Sequence, residues 1–157
     1  MRKNDARLKV LQRLTILDTA PEVVFDDLTR AAAQTFNVPI AMVSLLDSDR
    51  DWFKSYVGVP ATESAASTSF CEVFLKSDQD VAVVVEDTLL DARFAHHPMV
   101  LGQPHIRFYA AVRLSVSGQT VGTLCVYDTS PKQVSTEQLN TLMVLGTAAV
   151  ELLAKRI

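Results

Sequence analysis

The sequence predicts an α+β fold: a central antiparallel sheet, with helices from both chain ends on one face and irregular segments on the other. Three observations predict it. Apolar residues recur at helical spacing at both ends, the middle holds five apolar runs of strand length joined by turn residues, and two stretches between them have no period.

From Asp5 to Leu17, Val10, Leu14 and Leu17 fall at i, i+4 and i+7, with Leu8 and Leu11 widening the stripe, so residues 1–17 read as an N-terminal helix. Thr19-Ala20-Pro21-Glu22 matches a capping box with proline in the first turn, which predicts a second helix starting there. Phe25, Leu28, Ala32 and Phe36 would form its buried face, and Asn37 with Pro39 would end it. Residues 39–46 and 52–57 are strand-like and flank the turn Asp47-Ser48-Asp49-Arg50, which predicts a hairpin. Ala61 to Thr68 reads as a loop leading to a short helix, Phe70 to Lys76, together a lid. A buried strand over 81–85 and a long connection over 91–105 follow, then strands 106–116 and 120–128 joined at Ser117-Gly118-Gln119. Ser135-Thr136-Glu137-Gln138 is a second capping box and opens a C-terminal helix over 135–157. Leu139, Leu142, Gly146, Ala149 and Leu153 recur along it at spacings of three and four, a heptad-like seam.

Composition sets the class. With 157 residues, 48% of them apolar, the chain suits one domain with one core, and no repeat divides it. Residues 18–134 hold the sheet, lid and loops. A net charge of −3 with signs intermixed prepares no surface for nucleic acid or anionic lipid. The N-terminus lacks the apolar region of an export signal, and the longest apolar run, Val81 to Val85, is too short to cross a bilayer. The expected place is therefore the cytoplasm, where Cys71 and Cys125 stay reduced. The chain stops at Lys155-Arg156-Ile157 where its helix would continue, as an excised piece of a longer protein would.

Several strings, in this order, resemble the GAF domain family, in the subgroup common at the front of bacterial sensor kinases and cyclic-dinucleotide enzymes. They include Leu14 to Glu22, Phe25 to Thr29, Pro39 to Asp47, Asp49 to Ser55, Ser69-Phe70-Cys71, Val85 to Thr88, Asp91 to Phe94, Pro98 to Val100, Ile106 to Ala110 and Val121 to Val126. The resemblance implies a PAS-related sheet of five or six strands and a ligand cavity under a lid of loops and a short helix. It also implies a sensory module in signal transduction, homodimeric through its terminal helices, that answers to an effector domain or kinase. The chain departs from the family pattern at Ala65-Ala66-Ser67-Thr68 and where Ala111 and Arg113 replace a Gly and a Pro.

The candidate ligand-binding residues are Phe53, Phe70, Cys71, Asp87, Arg93, Phe94, Phe108, Tyr109 and Cys125. The aromatic residues would give an apolar shell. Arg93 would either read an anionic ligand at the cavity mouth or pin the long loop with an aspartate. The candidate dimer interface is Val10, Leu14, Leu139, Leu142, Gly146, Ala149 and Leu153, on the argument that a narrow seam serves a partner helix; the competing reading packs the seam on the chain's own sheet.

The chain carries no signature for bilin, haem, cyclic nucleotide or metal, so the cofactor is left unassigned. Glu72 stands where bilin-binding relatives place a histidine after the cysteine, and the adjacent His96 and His97 diverge too much to share an ion with His105 and Asp91. The arrangement of the sulfoxide-reducing members' cysteines is not visible around Cys71 and Cys125. The expectation is a non-enzymatic sensory domain that binds a small molecule. The alternatives are a ligand-free dimerisation module and a thiol-redox enzyme.

Overall fold

A computed structural model describes all residues, 1–157. Four α-helices, α1 (Asp5–Arg13), α2 (Val23–Phe36), α3 (Pro98–Leu101) and α4 (Thr136–Ala154), accompany six strands. The strands are β1 (Ile40–Leu46), β2 (Arg50–Val57), β3 (Glu63–Ala65), β4 (Ala82–Val85), β5 (Phe108–Val116) and β6 (Gln119–Asp128). They form one antiparallel sheet in the order β3-β2-β1-β6-β5-β4. This is the predicted architecture.

Local chemistry explains most boundaries. Asn4 caps α1 by accepting from the Arg7 amide, and Ser135 and Gln138 form the predicted capping box of α4. Asn37 ends α2 in the left-handed region at φ 52°, where asparagine is tolerated better than other side-chain-bearing residues. Ser117 and Gly118, at φ 52° and 75°, make the β5–β6 turn with positive φ at both central positions, which matches the twist of the strands.

Three local expectations are corrected. The first helix stops at Arg13, four residues early, because Thr15 and Asp18 take positive φ and turn the chain toward α2. The capping box at Thr19 does not form, and α2 starts at Val23 without a side-chain cap. Tertiary partners compete for both of its members. Thr19 Oγ1 donates to the Ile16 carbonyl and accepts from Lys54, while Glu22 pairs with Lys54 at 2.7 Å and Arg156 at 3.2 Å. The segment read as a loop over 61–68 contains edge strand β3 and a 3₁₀ turn, Ala66–Thr68, since residues 63–65 pair with 50–52 of β2.

The sheet separates two cores. The helix-side core contains Leu11, Leu14, Phe25, Phe36, Phe108, Leu124 and Leu142. The lid-side core contains Met42, Phe53, Phe70, Phe74, Tyr109, Cys125 and Tyr127. Alternation along each strand decides the sorting.

The helical seam belongs to the first of these cores. Leu142, Ala149 and Leu153 are fully buried against the chain's own sheet and α2, as are Leu14 and, nearly, Val10. A Cβ built on Gly146 would stand 2.6 Å from Val112 Cγ2, so the missing side chain lets α4 lie directly on β5. Val10, Leu14, Leu142, Gly146, Ala149 and Leu153 are therefore corrected from an intermolecular interface to an internal one. Only Leu139 keeps partial exposure. Beside the seam α4 presents Met143 and Val144, 39% and 68% exposed.

Candidate functional site

The lid is the 3₁₀ turn Phe70–Leu75, and its residues hold it onto the sheet. Phe70 stacks on Phe94 with centroids 5.2 Å apart and packs against Tyr109 and Tyr127 at 5.2 and 5.5 Å. Cys71 Sγ lies 3.0 Å from Thr123 Oγ1 and 3.2 Å from Tyr109 Oη. Cys125 sits on the same face of β6, two residues after Thr123, whose hydroxyl donates to its sulfur at 3.6 Å. Neither thiol reaches solvent. Cys125, Thr123 and Tyr109 favour the Cys71 thiolate and pull that thiol below its ordinary value, whereas burial pushes Cys125, Tyr109 and Tyr127 up.

Between the lid and the β1–β2 hairpin lies a cavity of about 180 Å³. Ile40, Met42, Phe53, Phe70, Met99, Ile106 and Tyr127 make it chiefly apolar, and Asp51 and Glu63 bring carboxylates to it. Asp51 is buried, and that burial raises its pKa against the pull of Arg2. Arg2 reaches in from the N-terminus. Its Nη1 donates to Asp51 Oδ1 and to the Asp47 carbonyl, each at 2.9 Å, and its Nε donates to Glu72 Oε1 on the lid at 2.9 Å. One guanidinium thus joins the start of α1, strand β2 and the lid. At the other end of α1, Arg156 donates to the Leu14 and Thr15 carbonyls at 2.8 and 2.9 Å, tying in the end of α4.

The predicted site residues divide. Phe53, Phe70, Cys71, Phe94, Tyr109 and Cys125 all lie on the lid side, and of these Phe53 and Phe70 line the cavity itself. Phe108 is corrected to the opposite face, where it meets Phe36 at 6.1 Å; neighbours on a strand point to opposite sides, so Phe108 and Tyr109 cannot share a wall. Asp87 is corrected as well: it pairs with Arg107 at 3.1 Å and accepts from the Leu89 amide, away from the cavity. Arg93 takes the structural role, pairing with Asp91 at 2.8 Å, and it borders a separate open groove between lid and long loop.

His97 accepts from the Met99 amide through Nδ1 and lies against Phe70, and no group of three or more His, Cys, Asp or Glu is placed to hold a metal ion. Asp51, Ser69, Tyr127 and Arg2 are not among the residues that the sequence singles out for the site, although Asp51 and Ser69 fall within the family-like strings. Strand alternation offered a signal for two of them, since Asp51 precedes Phe53 by two residues and Tyr127 follows Cys125 by two. Arg2 carried no local signal. No helix is long and apolar enough to cross a membrane.

Comparison with known proteins extends this picture. The chain is similar to a cyclic di-GMP phosphodiesterase, PA2567, of Pseudomonas aeruginosa, with 34% identity over 128 residues, which is 81% of this chain and 22% of the relative. The chain thus spans about a fifth of that relative's length. Among solved structures it resembles the GAF domain of an Acinetobacter phosphoenolpyruvate-protein phosphotransferase, with TM-score 0.68, 17% identity, and coverage of 97% of this chain and 95% of that one. It also resembles the free methionine-R-sulfoxide reductase of Neisseria meningitidis, with TM-score 0.63, 17% identity, and coverage of 94% and 84%.

These similarities correct the expectation of a non-enzymatic chain. A relative named as a phosphodiesterase and a fold shared with a reductase give that exclusion no support. The GAF domain model matches residues 20–152, and the sheet, helices and lid agree with it, so the chain belongs to the GAF domain family, a family of sensory signalling modules.

Proposed function

We propose that this chain is a sensory and regulatory module that holds a small molecule in the cavity of about 180 Å³ and passes its occupancy to α1 and α4. The observation that carries this reading is Arg2, which bonds a cavity residue, Asp51, and a lid residue, Glu72, from the start of α1. A ligand that moves the lid or engages Asp51 changes the bonds that hold α1. Arg156 extends the connection to α4. Coupling of this kind needs a ligand with different affinity for two arrangements of the lid.

The output is a second copy of the chain together with an effector, by analogy with the phosphodiesterase of which this chain matches about a fifth. Placement at the front of a kinase or a cyclic-dinucleotide enzyme belongs to the same reading. A homodimer would use the face of α4 marked by Leu139, Met143 and Val144, because the seam beside it is already filled.

Native mass spectrometry and hydrogen exchange test this together. A retained small molecule is expected, and its removal should speed exchange in the lid and α1 in step. Independent exchange of the two segments, with and without ligand, would overturn the relay. Val144→Glu should convert a dimer to a monomer in sedimentation; an unchanged sedimentation coefficient would remove α4 from the interface.

A further inference from the structure

The charged groups around the lid-side cavity of about 180 Å³ are already partnered within the chain, and the inference here rests on the reading that this cavity is the ligand site. No Lys, Arg or His lines it. Its enclosed carboxylate, Asp51, accepts from Arg2 at 2.9 Å, and Ser69 Oγ, closed to solvent, turns toward that carboxylate as a donor. Two buried guanidiniums, Arg2 and Arg7, stand with the carboxylates of Asp51 and Glu72, so this cluster sums to zero charge. The second lining carboxylate, Glu63, is exposed on edge strand β3 and pairs with Arg50 at 2.9 Å, where water screens it.

The hydroxyls of the wall are engaged as well. Thr68 Oγ1 donates to the Ala65 carbonyl at 3.0 Å, and Tyr127 Oη lies 3.9 Å from Cys71 Sγ under the lid. What the cavity offers a ligand is the rings of Phe53, Phe70 and Tyr127 and the thioethers of Met42 and Met99. Rings and thioethers both pack favourably on an aromatic body. A charged ligand would give up its water here for groups that already have partners, whereas a hydrocarbon surface gains by leaving water. About 150 Å³ of apolar space is enough to hold benzene, so this cavity suits one ring with a short substituent.

We propose that the cavity binds a small uncharged aromatic molecule, a single ring with a short apolar substituent, packed between Phe53, Phe70, Tyr127 and the two methionines. Binding is reversible and breaks no covalent bond.

Toluene, benzylamine and benzoate share one ring and differ in a one-carbon substituent that is neutral, cationic or anionic at neutral pH. Calorimetry and thermal shift on the intact chain compare them. Toluene should raise the melting temperature with concentration and bind at least about tenfold more tightly than either charged analogue. Its binding should show a negative heat-capacity change and persist in added salt, since screening acts on charges.

Met99→Trp, at the half-buried rim, should block toluene, and Ala61→Trp, at an exposed rim position, serves if that variant fails to fold. Benzylamine or benzoate bound as tightly as toluene, and blocked by the same variant, would overturn the uncharged assignment and leave the cavity as the ligand site. Toluene binding untouched by either variant would place it elsewhere and overturn the assignment. No response to any of the three probes would overturn both.

Discussion

Arg2 Nη1 donates to Asp51 Oδ1 across 2.9 Å, and the two side chains are only 8% and 6% exposed. An ion pair this enclosed, 49 residues apart in sequence, sets the position of the first residues of the chain against the cavity wall. Arg2→Ala leaves Asp51 buried and unpaired. The expected cost is about 3 kcal/mol, toward the low end for breaking a buried pair because Glu72 keeps access to water. Urea denaturation at neutral pH measures it, and Arg2→Ala combined with Asp51→Asn should recover part of the loss.

Gly146 permits the close approach of α4 to β5. Alanine gains about 1 kcal/mol in helix propensity over glycine, but its Cβ would meet Val112 Cγ2 at 2.6 Å. The packing term is expected to win, giving a net loss of about 1–2 kcal/mol. Val112→Ala in the same chain should relieve it. A Gly146→Ala variant as stable as the parent in denaturant would show that α4 shifts without cost.

Beside the exposed Asp18, which the hydrogen bond from Arg50 holds below its ordinary value, Glu22 contributes to the acid response of the α1–α2 connection. The Lys54 ammonium, whose side chain is fully buried, and Arg156 hold its carboxyl below the ordinary value, the hydrogen bond from Lys54 contributing most. A lowered folded pKa contributes stability that is present above the unfolded value near 4.3 and lost as pH falls through the lowered one. Glu22→Gln should therefore flatten the dependence of stability on pH in the acid range. An acid limb as steep as the parent's would remove Glu22 from the account. Partial exposure of Glu22 keeps the effect modest.

Cys71 and Cys125 should resist a thiol reagent in the native state, since both are closed off under the lid. If the lid opens without global unfolding, both thiols are uncovered together and label faster than the chain unfolds globally. Mass-resolved labelling over time, set beside the global unfolding rate, measures this. Labelling of both thiols at the global unfolding rate would mean that lid and sheet open as one unit.

Much of the fold was legible because its signals are local. Helical spacing marked α2 and α4, apolar runs marked five strands, and the Ser117-Gly118 turn marked a hairpin. The failures share a cause. Thr19 and Glu22 have the pattern of a helix cap, but Lys54 from β2 and Arg156 from the chain's end take their side chains. Edge strand β3 lacks an apolar run because it is half solvated and held chiefly by pairing with β2.

The aromatic and cysteine cluster of the lid side was readable from Phe53, Phe70, Phe94, Tyr109 and Cys125, residues that any compact arrangement of these elements must bury. Which face each occupied was decided by strand phase, and that removed Phe108. Whether the α4 seam met a partner or its own sheet was a matter of tertiary packing, because a stripe of Leu142, Gly146, Ala149 and Leu153 suits either surface equally. Periodicity thus determined the elements and their apolar faces. The tertiary structure alone decided what those faces meet, and it alone brought Arg2 to Asp51, since contacts between distant residues leave no trace in local spacing.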